Sequence, residues 1–450
     1  MDCRDIDNNK IFKTYYNKNI QLKKSDTEGR YLIAAKDISV GEVLLKCKSF
    51  YGIASDQYKK QVCYQCIKPI EQFSSSSSSS SCQSQKSIDN NNVLKCDGCN
   101  EVFYCSSKCK SLNIEQHKHY ECRFIKKLKV PSFNKFKFQS DSFTEVRMIL
   151  GILSRYYMDK ILNQPFIVDE INSGDGIDDE QEYLTNVLDD VFDLVENQIT
   201  DQNNKGAKER VDELVEFITD ILYDVLLKGL KAKLNKKSIS LSNSNSNIQE
   251  NEVEQQQQQQ QQQQLEKFEI IEKQFNQLVK LIRPLICKVR CNQFGIWSKK
   301  DKCLGVAVSP SSSYFNHSCI PNCADIRDGK YMKFISLYPI KKGTPLCISY
   351  LDLDRTKESR NEDLKLGYYF ECRCQRCLDT TDQCDNWISK FYCETQKCDG
   401  LYYSITDISS SSSNHDNDET IDKDIKLICT YCDRIKIVKY DFFDNQPLLL

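Results

Sequence analysis

Residues 313–323 read SYFNHSCIPNC. The chain holds only 4 His in 450 residues, yet this stretch sets one of them, His317, between Asn316 and Ser318 and beside two of its 24 Cys. Asn and Ser compete for backbone hydrogen bonds and Pro321 removes a donor, so the run is poor material for helix or strand. It reads as a loop that must be held by something other than a hydrogen-bond ladder.

Around this loop, composition sets the bounds. A chain of 52.3 kDa with 40% hydrophobic residues has a sizeable core and room for about two to four domains. Lys+Arg 62 against Asp+Glu 64 leaves a net charge of −2, and this balance argues against direct nucleic-acid binding. The start MDCRDIDNNK has no apolar signal core, no apolar run reaches membrane-spanning length, and the end QPLLL offers no prenylation cysteine. An intracellular protein, nuclear or cytoplasmic or both, with no membrane association, is expected. In a reducing compartment the many paired cysteines (CYQC, CDGC, CTYC) point to metal rather than to disulfides.

Three low-complexity runs, Ser74–Ser81, Gln255–Gln264 and Ser409–Ser413, cannot bury apolar surface and read as disordered loops. Between them, YLIAAKDISVGEVLLKC (31–47) reads as two strands around the ISVGE turn. Helices are expected from Ser142 to about Leu162 and in VDELVEFITDILYDVLLKGL, where Leu214, Ile218, Ile221, Leu222 and Val225 share a face. A third helix should run from Leu265 to Pro284, with short strands and loops returning from Cys291.

Cys63 and Cys66, Cys96 and Cys99, Cys105 and Cys109, and then His117 or His119 with Cys122 supply eight ligands, enough for two tetrahedral zinc sites. A two-residue spacing lets both thiolates of a knuckle reach one ion, so each knuckle is half a site. The set resembles a MYND zinc finger, and VFYCSSKC (102–109) is its most specific piece. The resemblance implies interleaved sites: Cys63, Cys66, Cys105 and Cys109 in one, and Cys96, Cys99, His117 and Cys122 in the other. His117, eight residues after Cys109, matches the family's spacing there. Proline-rich peptides are the partners such fingers often bind.

Downstream of the opening loop stand GTPLCISYLD (343–352) and GYYFECRCQRC (367–377), and upstream EGRYLIAAKDISVGEVLL (28–45). Together these resemble a SET domain of the SET and MYND family of protein-lysine methyltransferases. The resemblance implies an α+β protein: a knotted, β-rich SET core with an inserted MYND finger, a helical insert and a cysteine-rich post-SET region. The expected order is the first part of SET at 1–62, the finger at 63–122, the helical insert at 123–284, the catalytic core at 285–355, the post-SET region at 356–380 and a zinc-ribbon-like tail at 381–450.

The same resemblance implies that Gly29, Arg30, Asn292, Asn316 and His317 contact S-adenosylmethionine, with Tyr350 and Phe370 at the cofactor as well. Tyr350 is then the tyrosine beside the transferring methyl, while Tyr368 and Phe370 line the lysine channel. Cys319 is implied as the first ligand of a third zinc site completed by Cys372, Cys374 and Cys377. CRCQRC supplies three thiolates and needs a fourth from elsewhere. Cys393, Cys398, Cys429 and Cys432 would form a fourth site.

Methyl transfer from a sulfonium to an amine is a direct displacement that needs alignment more than an enzyme nucleophile. The lysine ammonium must first lose a proton, which an apolar, aromatic channel favours. The expected function is therefore S-adenosylmethionine-dependent methylation of lysine in a protein substrate, a histone among the candidates. One rival is a catalytically inactive, zinc-scaffolded interaction module, because the family's second glycine two residues after Gly29 is here Tyr31 and Glu28 stands where a basic residue is usual.

Overall fold

Ile20 and Leu22 alternate with polar neighbours in Ile20–Ser25, burial alternates at Leu32 and Ala34 in Gly29–Ala34, and the two segments pair as an antiparallel hairpin from Ile20↔Ala34 to Ser25↔Gly29. The computed structural model describes residues 19–70, 93–119, 121–128, 140–163, 184–185, 187–196, 205–228, 231, 251–298, 302–396, 398, 400–404, 424–444 and 446. The runs Ser74–Ser81 and Ser409–Ser413 lie outside them. The chain forms two compact units. One comprises Met1–Phe50, Ser173–Asn197 and Arg290–Leu450, and the other Tyr51–Asn172 and Gln198–Val289.

In the first unit the two strands expected around ISVGE are present at Gly29–Ala34 and Val43–Lys48, but they do not pair with each other. Val43–Lys48 instead joins a four-stranded sheet ordered Cys323–Asp328, Tyr331–Ser336, Val43–Lys48, Leu184–Thr185. Its residues Leu44 and Cys47, either side of Leu45 where the register with Tyr331–Ser336 shifts, are both fully buried in a cluster with Met332, Phe334 and Phe315. Gln293–Trp297 pairs antiparallel with Cys303–Val308. The C-terminal part adds the three strands Tyr402–Ser404, Ile425–Cys429 and Ile435–Val438. These share a core with Trp387, Phe391 and the thiols of Cys319, Cys372 and Cys377, so the tail and the post-SET region form one hydrophobic cluster.

The second unit holds the cysteine-rich segment and the long helices. Ser140–Tyr156 continues through one π-helical turn at Tyr157–Ile161, and Lys205–Leu226 buries Leu214, Ile218, Ile221 and Leu222 on one face. Two features of the helix Asn251–Asn292 depart from the sequence reading. Gln255–Gln264 is helical rather than a disordered loop, in keeping with glutamine's good helix propensity, and the helix continues through Pro284. An interior proline costs about 3 kcal/mol. Buried Leu278, Ile282, Leu285, Ile286 and Val289 flank it, each contributing about 1.5–3 kcal/mol, so burial outweighs the missing hydrogen bond. No helix among the described residues is long and apolar enough to cross a membrane.

Candidate active site and metal-binding clusters

The opening loop has a ladder after all, though a short one. Asn316 and His317 run parallel to Cys347 and Ile348, and the Ser318 N–H donates to the Ile348 carbonyl at 2.9 Å. Buried Asn322 clamps the crossing from the other side. Its Oδ1 accepts from the Cys347 N–H and its Nδ2 donates to the Pro345 carbonyl, both at 2.8 Å. The Leu346 N–H then reaches Leu32, so the segment around Leu346 is tied to both the loop and the first hairpin. Side-chain hydrogen bonding substitutes for strand length, which is why propensity alone missed the ladder.

Three aromatic side chains gather at His317. Its ring centre lies 5.3 Å from that of Tyr350 and 6.1 Å from that of Phe370, and Tyr350 lies 4.8 Å from Tyr368. Nδ1 of His317 accepts the Tyr350 N–H at 3.1 Å, which leaves the proton on Nε2, 3.3 Å from the Cys319 sulfur. Burial pulls the His317 pKa down to about 4, so the ring is neutral. The Tyr350 hydroxyl donates to the Phe315 carbonyl at 2.8 Å, and burial pushes its phenol well above the ordinary range. Tyr369, between Tyr368 and Phe370, adopts φ 64°, a strained conformation for a non-glycine residue and one that clusters at functional sites.

The hairpin turn brings further residues to this crossing. Gly29 has φ +66°, and a Cβ built there would meet nothing within 4 Å, so the backbone is turned beside open space. The Asn316 Nδ2 donates to the Glu28 carbonyl next to it at 3.1 Å. Exposed Phe370 adds a ring near His317, so the crossing gathers a neutral imidazole, an aromatic plane and turned backbone. Arg30 and Asn292 are both tied to the segment 187–196. Arg30 pairs with Asp193 at 2.6 Å and lies over the Tyr314 ring, while Asn292 donates to the Val195 carbonyl at 3.0 Å. No motif or spacing marked this segment's part.

Four sets of side chains have their ligand atoms within 4.8 Å of one another: Cys63, Cys66, Cys105 and Cys109; Cys96, Cys99, His117 and Cys122; Cys319, Cys372, Cys374 and Cys377; and Cys393, Cys398, Cys429 and Cys432. Buried His117 joins its set, and His119 is exposed. A zinc tetrahedron with metal–sulfur bonds of about 2.3 Å has sulfur–sulfur edges of about 3.8 Å. The observed separations are of that size: Cys66–Cys105 at 3.7 Å, Cys96–Cys122 at 3.7 Å, Cys319–Cys372 at 3.9 Å and Cys398–Cys429 at 3.6 Å.

Hydrogen bonds among the crowded thiols hold Cys63 and Cys374 well below the ordinary range and Cys66 and Cys372 well above it. Some thiols of each of these sets are held ionisable and others are held neutral, and a divalent cation would let all four ligate as thiolates. Gly98 and Gly400 permit close approach here, since a Cβ would stand 2.7 Å from the Cys122 sulfur and 2.4 Å from that of Cys429.

The supports behind these sets escaped the sequence reading. His117 turns its Nε2 to Cys99 at 3.4 Å because its Nδ1 bonds Glu121 at 2.8 Å, and Glu121 also accepts from the Tyr51 and Tyr64 hydroxyls. Burial alone would raise the Glu121 carboxyl, but the His117 and Tyr51 bonds hold it below its ordinary value. In the Cys319 set, Asn361 accepts the Cys372 N–H at 2.9 Å, and Arg376 donates to the Cys319 and Leu353 carbonyls at 3.1 and 2.9 Å. Its position within CRCQRC was the only available hint.

A SET domain family model matches residues 29–351. A SET and MYND domain-containing protein of Dictyostelium discoideum is 46% identical over 442 residues, covering 97% of this chain and 100% of its own length. A second such protein of that organism is 49% identical over 447 residues, with coverage of 97% and 100%. The human histone-lysine N-methyltransferase SMYD3 is 41% identical over 90 residues, which are 20% of this chain and 21% of that protein. Motif order, thiol geometry and near full-length likeness agree, and the chain belongs to the SET and MYND domain-containing protein-lysine methyltransferase family.

Proposed function

We propose that this chain is an active S-adenosylmethionine-dependent protein-lysine methyltransferase that carries zinc in its four ligand sets. The observation that carries the reading is the convergence of Tyr350, Tyr368 and Phe370 on a neutral His317 at the Asn316–His317 crossing. When bound, S-adenosylmethionine supplies an electrophilic methyl group on a sulfonium. Gly29, Asn316, His317 and Phe370 would hold it, with Arg30 and Asn292 at the edge.

The chain's own residues do the rest. The Tyr350 hydroxyl spends its proton on the Phe315 carbonyl, so its oxygen presents lone pairs toward the reacting centre, and burial keeps it neutral. Tyr368 and Tyr350 form an aromatic wall that disfavours an ammonium and favours the neutral amine that reacts. Their spacing orients the acceptor for displacement, where alignment is the larger part of the catalytic effect.

Because SMYD3 is a histone-lysine N-methyltransferase, histones form one arm of the acceptor panel, with total cell-lysate protein as the other. Labelled-methyl transfer from S-adenosylmethionine to both, alongside calorimetric titration of the cofactor, tests the reading. Saturable cofactor binding with label on lysine is expected. A folded, zinc-loaded protein that binds no cofactor would instead establish an inactive scaffold, the reading favoured by the engagement of Arg30 with Asp193.

A further inference from the structure

Side chains alternate along the strand Cys323–Asp328, so Cys323, Asp325 and Arg327 share one face, and the register sets Asp325 opposite Phe334. That face carries an aromatic floor. Phe334 stacks on Phe315 with ring centres 4.3 Å apart and meets Phe294 edge-on at 6.4 Å. Phe315 is the residue whose carbonyl holds the Tyr350 hydroxyl. Tyr368 feels the same neighbourhood, for burial, then Cys291 and Asp325, push its phenol up.

A carboxylate in such company is ordinarily bonded to a donor. Among the described residues no side chain takes up this one. Its own backbone N–H and the charge of Arg327 favour the carboxylate, but the terminal nitrogens of Arg327 are engaged elsewhere and its Nε has no hydrogen-bond partner among the described residues. The Arg327 guanidinium donates to Ser49 Oγ at 3.0 Å, to the Gly329 carbonyl at 3.2 Å and to Met332 Sδ at 2.9 Å. Asp325 is solvent-accessible, yet the packed strands around it hold its carboxyl above the usual range. Asp325 thus stands at the accessible edge of the aromatic face.

We propose that Asp325 is a specificity-determining contact for the acceptor, receiving the ammonium of an incoming lysine side chain beside Tyr368 and Tyr350. The inference rests on the methyltransferase reading of this site. A cation held by Asp325 must still lose its proton before it reacts, so the contact strengthens binding of the ground state without hastening transfer. Asp325 should therefore act on KM and leave kcat nearly alone.

The test uses the full chain and two fluorescent peptides of about seven neutral residues, one with a central lysine and one with norleucine in its place. A charge-assisted hydrogen bond predicts that the wild type prefers lysine about tenfold by anisotropy. Asp325→Asn should cut that preference to about twofold or less, with an unchanged melting midpoint, and Asp325→Glu should restore most of it. In labelled-methyl transfer to poly-L-lysine, Asp325→Asn should raise KM by a similar factor and change kcat less than about twofold. Equal preferences in wild type and Asp325→Asn, no preference in the wild type, or a fall confined to kcat would each overturn the proposal. Cofactor binding without transfer to any acceptor would instead defeat the methyltransferase reading, and the peptide ratio would still report on Asp325.

Discussion

The ligand set built around His117 and the set built around Cys319 hold similar atoms at similar distances, but they tie together very different lengths of chain. Cys96, Cys99, His117 and Cys122 come from one short stretch, and their supports Glu121, Tyr51 and Tyr64 lie in the same compact unit. Cys319 stands 53 positions before Cys372, and it is only two residues from His317. A local set organises its own module. A long-range set closes a loop whose two ends the chain would otherwise leave free, and the metal would offset that closure entropy. Here the closed loop carries Tyr350 and Phe370, and Asn316 and His317 stand just before its first ligand, so the Cys319 set should matter for binding in a way that the finger's sets do not.

The most severe challenge to this contrast removes one ligand from each set. Elemental analysis of the wild type should find about four zinc ions, one for each ligand set. Cys372→Ser should lose one of them, lower the melting midpoint by about 10 °C or more, and abolish calorimetric cofactor binding. Cys96→Ser should also lose zinc yet keep cofactor affinity within about twofold. If the two variants lose cofactor binding equally, the division between local and long-range sets fails.

Next in size is Tyr350→Phe, which removes a hydroxyl at the reacting centre with almost no change in volume. It should cost about 2.7–4 kcal/mol of transition-state stabilisation, a hundredfold or more in turnover, with cofactor affinity largely kept. Labelled-methyl assays read the first quantity and calorimetry the second. Unchanged turnover would remove Tyr350 from the mechanism.

Glu121→Gln sharpens the contrast from the finger's side, because it keeps the shape of the His117 support and deletes its charge. Metal retention in that set should weaken about 10–100-fold in competition with a chromophoric chelator, while release from the Cys319 set stays unchanged. Equal weakening in both sets would mean that Glu121 acts through global stability. The smallest effect belongs to Gly29→Ala. A Cβ there has room, so only the φ +66° backbone resists it, and unfolding should show a loss of about 1–2 kcal/mol.

What could be read without coordinates follows a clear line. The four thiol sets were legible because ligand chemistry is written in residue type and spacing: a thiolate two residues from another on a knuckle leaves few alternatives. The SET motifs were legible for a similar reason, since NHSC, CISYLD and GYYFECRCQRC each hold their residues within a few positions. Strand partners were less so. Gly29–Ala34 and Val43–Lys48 were recognisable as strands from local pattern, but nothing in ISVGE says that one pairs with Ile20–Ser25 and the other with Tyr331–Ser336.

Sequence by itself therefore determined the kinds of chemistry this protein can hold: thiolate sets, a histidine in a polar loop, and tyrosines and phenylalanines in motif. Tertiary structure alone decided that Glu121 orients His117, that the helix Asn251–Asn292 passes through Pro284, and that Asp325 lies opposite Phe334 with no side-chain hydrogen bond among the described residues. The reason is physical. Metal ligation and motif chemistry are short-range and specific to residue type, whereas the burial that outweighs a proline, the partner that turns an imidazole and the donor that a carboxylate lacks depend on which distant segments pack beside them.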